Sequence, residues 1–276
     1  MSELFPDRVG TALGVHGSAA QLGAVGAAPF VAVAVDAGSW RTALWLIAVA
    51  AAVTTAVTGV AVRRTDLPTA GREDRALPVA VRRNWRVVAT GVLLVGTAGL
   101  VWNGLFNFYV PSLTAAGVAE DRATLSLTVM FAAGLPAFPL AGRLADRVPV
   151  LRLGLLVVTG FAAGVVALTA VRGFLGHLVV GSAVGFAFYA VLPVADAYLL
   201  ESLPDRHRAS AYAVYSGTMT LVQALGAALV GTLREAGMSY DAIFGGLATA
   251  LLATVAVLAA LYRQEWMPVG ATAVTD

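Results

Sequence analysis

Eight stretches of this chain run for at least 19 positions without a charged residue: 9–35, 42–62, 87–119, 123–142, 153–171, 173–195, 209–233 and 242–262. At a rise of about 1.5 Å per residue, a helix of about 20 residues crosses the ~30 Å hydrocarbon core of a bilayer. Backbone in lipid must satisfy its own hydrogen bonds, which only helices and closed barrels do, and the strict alternation of barrel strands is absent. The predicted fold class is therefore all-α, a polytopic helical membrane protein with eight transmembrane helices. Composition points the same way: 59% of residues are hydrophobic and 12% charged, about half the charged fraction that a soluble domain uses. The first stretch is too long for a cleavable leader, and Glu3 and Asp7 stand where a leader carries basic residues.

Arginine sets the expected orientation, since loops rich in it stay on the cytoplasmic side. Threading the eight helices from an inside N-terminus puts 14 of the 18 basic residues, all of them arginine, on one side. Arg41, Arg122, Arg172 and Arg234 fall on the other. Both termini are expected in the cytoplasm, with the chain in the plasma membrane. The longest basic segment, 63–86, contains Pro68, Gly71 and Pro78 and reads as a linker between a helix pair (1–62) and a six-helix block (87–262), with a tail at 263–276.

Internal repetition is informative. Glu3-Leu4-Phe5-Pro6-Asp7-Arg8 matches Glu201-Ser202-Leu203-Pro204-Asp205-Arg206 at four of six positions, 198 residues apart. Two helices follow each copy, and four lie between the linker and the second copy. If the copies mark equivalent points of two parallel six-helix repeats, the ancestral architecture had twelve helices and this chain lacks the first four.

Gly142-Arg143-Leu144-Ala145-Asp146-Arg147 resembles the loop signature of the major facilitator superfamily, a glycine, three residues, then Asp-Arg. In that family it joins the second and third helices of each half, and here it joins the second and third helices after the linker. The first helix, with Gly14, Gly17, Gly23, Gly26 and Pro29, resembles the family's glycine-rich fifth helix. Trp40-Arg41 resembles the dipeptide that often opens the sixth. The resemblance implies a bundle running from the end of the family's fourth helix through its twelfth. It also implies transport of a small solute by alternating access, coupled to an ion gradient, with export among the possible directions. A truncated, non-transporting remnant, a membrane scaffold or a subunit whose partner chain supplies the missing helices are the alternatives.

The residues suggest a latch and a path. A short loop presenting Gly142, Asp146 and Arg147 can pair with charges or helix ends of a neighbouring bundle, and such pairs break when bundles rock. Asp196, near the end of its helix, is expected to meet Arg147 or Arg152, as the corresponding acid does in resembling transporters; proton carriage and a plain interface carboxylate reaching water are its alternatives. Along the helices, His16, Gln21 and Gln223 bracket the midplane, while Asn103 and Asn107 share a face toward the outer half. Tyr189, Tyr212 and Tyr215 could add hydroxyls. Each can instead serve as an interhelical hydrogen bond, and His16 can be a proton carrier or a packing residue. Gly10 with Gly14, Gly160 with Gly164, and Gly181 with Gly185 are spaced for close helix contact. Pro136, Pro139 and Pro193 are expected to kink their helices.

Catalytic and metal-binding chemistry finds no support. Neither cysteine nor lysine occurs, so thiolate chemistry and a phosphate-loop motor are excluded. His16, His177 and His207 lie on separate segments, and Asp196 has no second deep aspartate. No enzyme, metal, cofactor or nucleic-acid partner is expected; the partners are the lipid bilayer, a small solute and protons.

Overall fold

The computed structural model describes residues 8–64 and 77–267, without the side chains of 27–29, 31, 32 and 205. The hexapeptide copy up to Asp7, much of the basic linker and the tail from 268 lie outside the described residues. Among those described there are helices and no strands: α1 (Val9–Asp36), α2 (Trp40–Arg63), α3 (Leu77–Gly91), α4 (Thr97–Ala115), α5 (Glu120–Ala132), α6 (Gly134–Ala145), α7 (Val150–Ala170), α8 (Gly173–Ser202), α9 (Asp205–Glu235) and α10 (Tyr240–Arg263). A π-helical turn, Val92–Gly96, joins α3 to α4, and α5 runs into α6. The ten helices thus make eight rods. Seven, all but α1, are long and apolar enough over their described residues to cross a membrane; α1 itself has 28 residues. The fold is the expected all-α polytopic bundle.

One rod begins earlier than its charge pattern suggests. The uncharged stretch opens at Val87, yet α3 starts at Leu77, inside the basic segment. Its arginines escape burial because Ala80, Asn84, Val87 and Val88 form the packed face while Arg82, Arg83 and Arg86 stay outside. Asn84 departs from helical backbone angles and donates to the Ala80 carbonyl at 2.8 Å.

Short turns keep successive rods antiparallel. α4 ends in a left-handed Gly117 (φ +86°) and α9 in Gly237 (φ +85°); Val118 N–H donates to the Leu113 carbonyl at 3.0 Å and Met238 N–H to that of Leu233 at 3.1 Å. These are Schellman closures, in which glycine supplies a conformation that other residues rarely adopt. Ser239 caps α10, accepting from Ala242 N–H at 3.2 Å.

The core is aromatic at its centre. Trp102 of α4 stacks on Phe188 of α8 with ring centroids 4.3 Å apart, and Phe131 and Tyr189 meet Trp102 edge-on. Two turns further along α4, Tyr109 is buried, donating to the His177 carbonyl at 2.8 Å and sharing a 3.0 Å hydrogen bond with Ser126. α2 stands apart: in its most apolar stretch no residue is buried, and Leu44, Trp45, Val49, Val53 and Val57 point outward. That surface suits lipid.

The prolines divide. Pro136 can donate nothing to the Ala132 carbonyl, and the rod breaks there into α5 and α6. Pro139 and Pro193 lie inside α6 and α8. The glycine pairs divide as well: a methyl group on Gly185 would lie 1.9 Å from the Met130 carbonyl oxygen, whereas Gly160 faces open space.

Candidate functional site

Two arrangements at the arginine-rich end bring the candidate residues together, and the first is a seam between α1 and α6. Gly10 and Gly14 put no side chain on the face that α1 turns to α6, so backbone meets backbone there, and Gly17 leaves room for the Phe138 ring. A methyl group on Gly142 would lie 2.2 Å from the Gly10 carbonyl oxygen, and one on Gly14 would lie 2.5 Å from that of Phe138. Gln21 ends the seam, donating to the Phe131 carbonyl at 2.7 Å. Ser18 reaches the Leu135 carbonyl at 3.4 Å, an acceptor left without its helical donor because residue 139 is proline. One turn beyond Gln21 on the same face, Ala24 is exposed. α1 and α6 are therefore packed from the arginine-rich end as far as Gln21, where α6 itself begins at Gly134.

Asp146 closes this seam. It sits at the C-cap of α6, where the helix dipole disfavours a negative charge. Its carboxylate reaches instead to the N-terminus of α1, accepting from Gly10 N–H at 2.8 Å, Thr11 N–H at 2.9 Å and the Thr11 hydroxyl at 2.5 Å. First-turn amides have no partner within their own helix, and the positive end of the dipole adds to the attraction. Of the two pairings expected for this loop, the structure has the one with a helix end. Arg147 has no ion-pair partner among the described residues, and Arg152 donates to the Tyr262 hydroxyl at 3.0 Å.

Asp196 corrects the expected pairing. It meets neither arginine; Tyr212 of α9 donates to its carboxylate at 2.9 Å. The reason is rotation about α8: Asp196 shares a face with Leu192 and Pro193 and points between α1 and α9 rather than toward the loop before α7. It thereby enters the second arrangement, a cavity of about 230 Å³ walled by α1, α6, α8 and α9. His16 and Leu13 come from α1, Phe138 from α6, and Tyr212, Tyr215 and Met219 from α9. Asp196 is its one acid and His16 its one basic side chain. Asp196 lies six residues before the end of α8, about 9 Å along the axis, so the cavity sits nearer the arginine-rich end than the midplane.

The remaining candidates lie elsewhere. Gln21 is buried and committed to its carbonyl; Tyr189 belongs to the aromatic core. Asn107 donates to the Asn103 carbonyl at 2.8 Å along one face of α4. Gln223 packs over Gly99, where a methyl group would lie 2.3 Å from its Cγ. Thr11 was not among the expected residues. Its only signal was its place in the first turn of a helix whose amides need acceptors.

A family model described as Major Facilitator Superfamily matches residues 1–174 and, in a second, overlapping match, residues 92–270. No curated protein matches the chain.

Proposed function

The chain belongs to the major facilitator superfamily, a family of membrane transporters, and from that premise we propose that it carries a small solute across the plasma membrane by alternating access. The single observation that supports this most is the cavity holding Asp196, His16, Tyr212 and Tyr215, beside the backbone-to-backbone seam of α1 and α6. In this reading the arginine-rich end is cytoplasmic, as are both termini, and the arrangement described is the one with α1 and α6 packed together at that end. Breaking the Asp146 cap and sliding α1 off α6 opens the cavity inward.

Coupling is assigned to the pair of titratable groups on the cavity wall. His16 and Asp196 can take a proton when the solute leaves and release it when the solute binds. One carboxylate among tyrosines, a phenylalanine and aliphatic side chains favours a solute with apolar surface and a single positive charge or strong donor. Export is the direction proposed for such a solute, driven by protons entering.

Proteoliposomes containing the chain and a fluorescent quaternary-ammonium dye test this. An imposed pH gradient is expected to drive dye movement, and Asp196→Asn to abolish it. Dye movement that ignores the gradient, or that survives Asp196→Asn at full rate, contradicts the proposal.

A further inference from the structure

Away from the cavity, one corner of the arginine-rich end carries cationic side chains mounted on aromatic rings. The Arg86 guanidinium lies 5.9 Å from the Trp85 ring centroid and 5.4 Å from that of Trp266. The two indoles themselves meet edge-to-face at 5.2 Å. Trp85 and Arg86 belong to α3, and Trp266 follows α10, so the cluster ties two rods together. Arg82 and Arg83 stand one turn earlier on the exposed side of α3. Among the described residues none of the three arginines has an acidic partner, and Glu265, next to Trp266, is in no ion pair.

Three physical features limit what this corner can bind. A guanidinium held near aromatic rings keeps in-plane N–H donors available, and their fork matches two oxygens of a phosphate. Trp85 is 50% exposed, so apolar surface adjoins the charge. Depth is set by the rod, which departs from helical geometry at Asn84 and is longer than a core of ~30 Å requires. Its uncharged stretch begins at Val87, which leaves residues 82–86 at headgroup level. Tryptophan is enriched at that level, and arginine is retained there.

We infer that Arg82, Arg83, Arg86, Trp85 and Trp266 form a binding site for the phosphodiester headgroup of an anionic phospholipid. Arg86 holds the phosphate, Arg82 and Arg83 raise the local potential, and the exposed Trp85, next to the start of the uncharged stretch, meets the upper acyl chains. The site fixes the α3–α10 corner in the leaflet and is independent of the cavity and its solute.

Native mass spectrometry of the purified chain with equal phosphatidylglycerol and phosphatidylcholine reads this directly. The expected result is preferential retention of phosphatidylglycerol by about tenfold or more, falling about fivefold for Arg86→Gln and again for Arg82→Gln with Arg83→Gln, on the scale of one arginine near an anionic surface. Arg86→Lys is expected to recover the preference only in part, since a point charge lacks the fork. Equal retention of both lipids, or a preference unchanged in Arg86→Gln, overturns the inference. So does displacement of the lipid by millimolar inorganic phosphate, which would make this a site for the free anion. Melting of each variant in phosphatidylcholine separates loss of binding from loss of fold: a variant that melts like the parent and loses the preference supports the site, and a loss only in variants that melt early counts against it.

Discussion

Adding one methyl group to the seam should open the cavity to the arginine-rich side. In Gly142→Ala the new Cβ would sit 2.2 Å from the Gly10 carbonyl oxygen and 3.2 Å from the Gly14 Cα, where ordinary contact needs 3.4–4 Å. Both obstacles are backbone, so no rotamer change relieves them, and α1 must retreat from α6 by about 1 Å. Overpacking of this kind costs about 1–3 kcal/mol. The cost falls only on the packed arrangement, because the parted one does not bring these backbones together. Retreat also stretches the three hydrogen bonds that Asp146 makes to α1. At about 1.4 kcal/mol per tenfold, the population open at this end should rise by about fivefold to a hundredfold. The chain has no cysteine, so Leu13→Cys, on the cavity wall, is a unique reporter for a membrane-impermeant maleimide applied from the arginine-rich side. Labelling should accelerate by that factor in Gly142→Ala. A rate within twofold of the parent, in a variant that melts normally, would refute the seam as a gate.

Other outcomes follow from the same contacts. Asp146→Ala removes the acceptor of three donors at the start of α1, a loss of about 1–2 kcal/mol, and hydrogen exchange of the Gly10 and Thr11 amides should quicken about tenfold. Tyr109→Phe leaves the His177 carbonyl and Ser126 without their buried partner; about 1–3 kcal/mol should be lost, seen as a lower melting temperature in detergent. Gly185→Ala drives a methyl group into the Met130 carbonyl and should reduce the folded yield, measured by monodisperse chromatography, whereas Gly160→Ala, facing open space, should not.

Charge spacing made the eight rods and their order legible, because a helix that excludes charge for about 20 residues has few other places to be. The start of α3 was hidden for the converse reason: Arg82, Arg83 and Arg86 interrupt the apolar run while occupying the outer face of a helix already packed through Ala80 and Asn84. In the seam, Gly142 and Asp146 were legible as a motif. Their partners were less so, since Gly10 and Thr11 take part chiefly through backbone amides, which every residue has. Asp196 was legible as a functional candidate but not in its partner, because three of its neighbours come from α1 and α9 and only rotation about α8 decides which it faces. Gln21 and Gln223 looked equivalent by depth. One lies in a seam beside a proline break and the other over Gly99, and no count of residues along a helix distinguishes a packed face from a cavity wall.

Alternation itself is the central claim, and two single-cysteine variants test it most directly. Leu13→Cys reports the arginine-rich end of the cavity, and Ala24→Cys reports the face of α1 beyond the seam. Labelling both with an impermeant maleimide, each from its own side of a proteoliposome, across an imposed pH gradient and its reverse, gives two accessibilities under two conditions. The account requires them to move in opposite directions: whatever speeds labelling of Leu13→Cys slows that of Ala24→Cys. Two rates that rise and fall together, or that ignore the gradient, would contradict it.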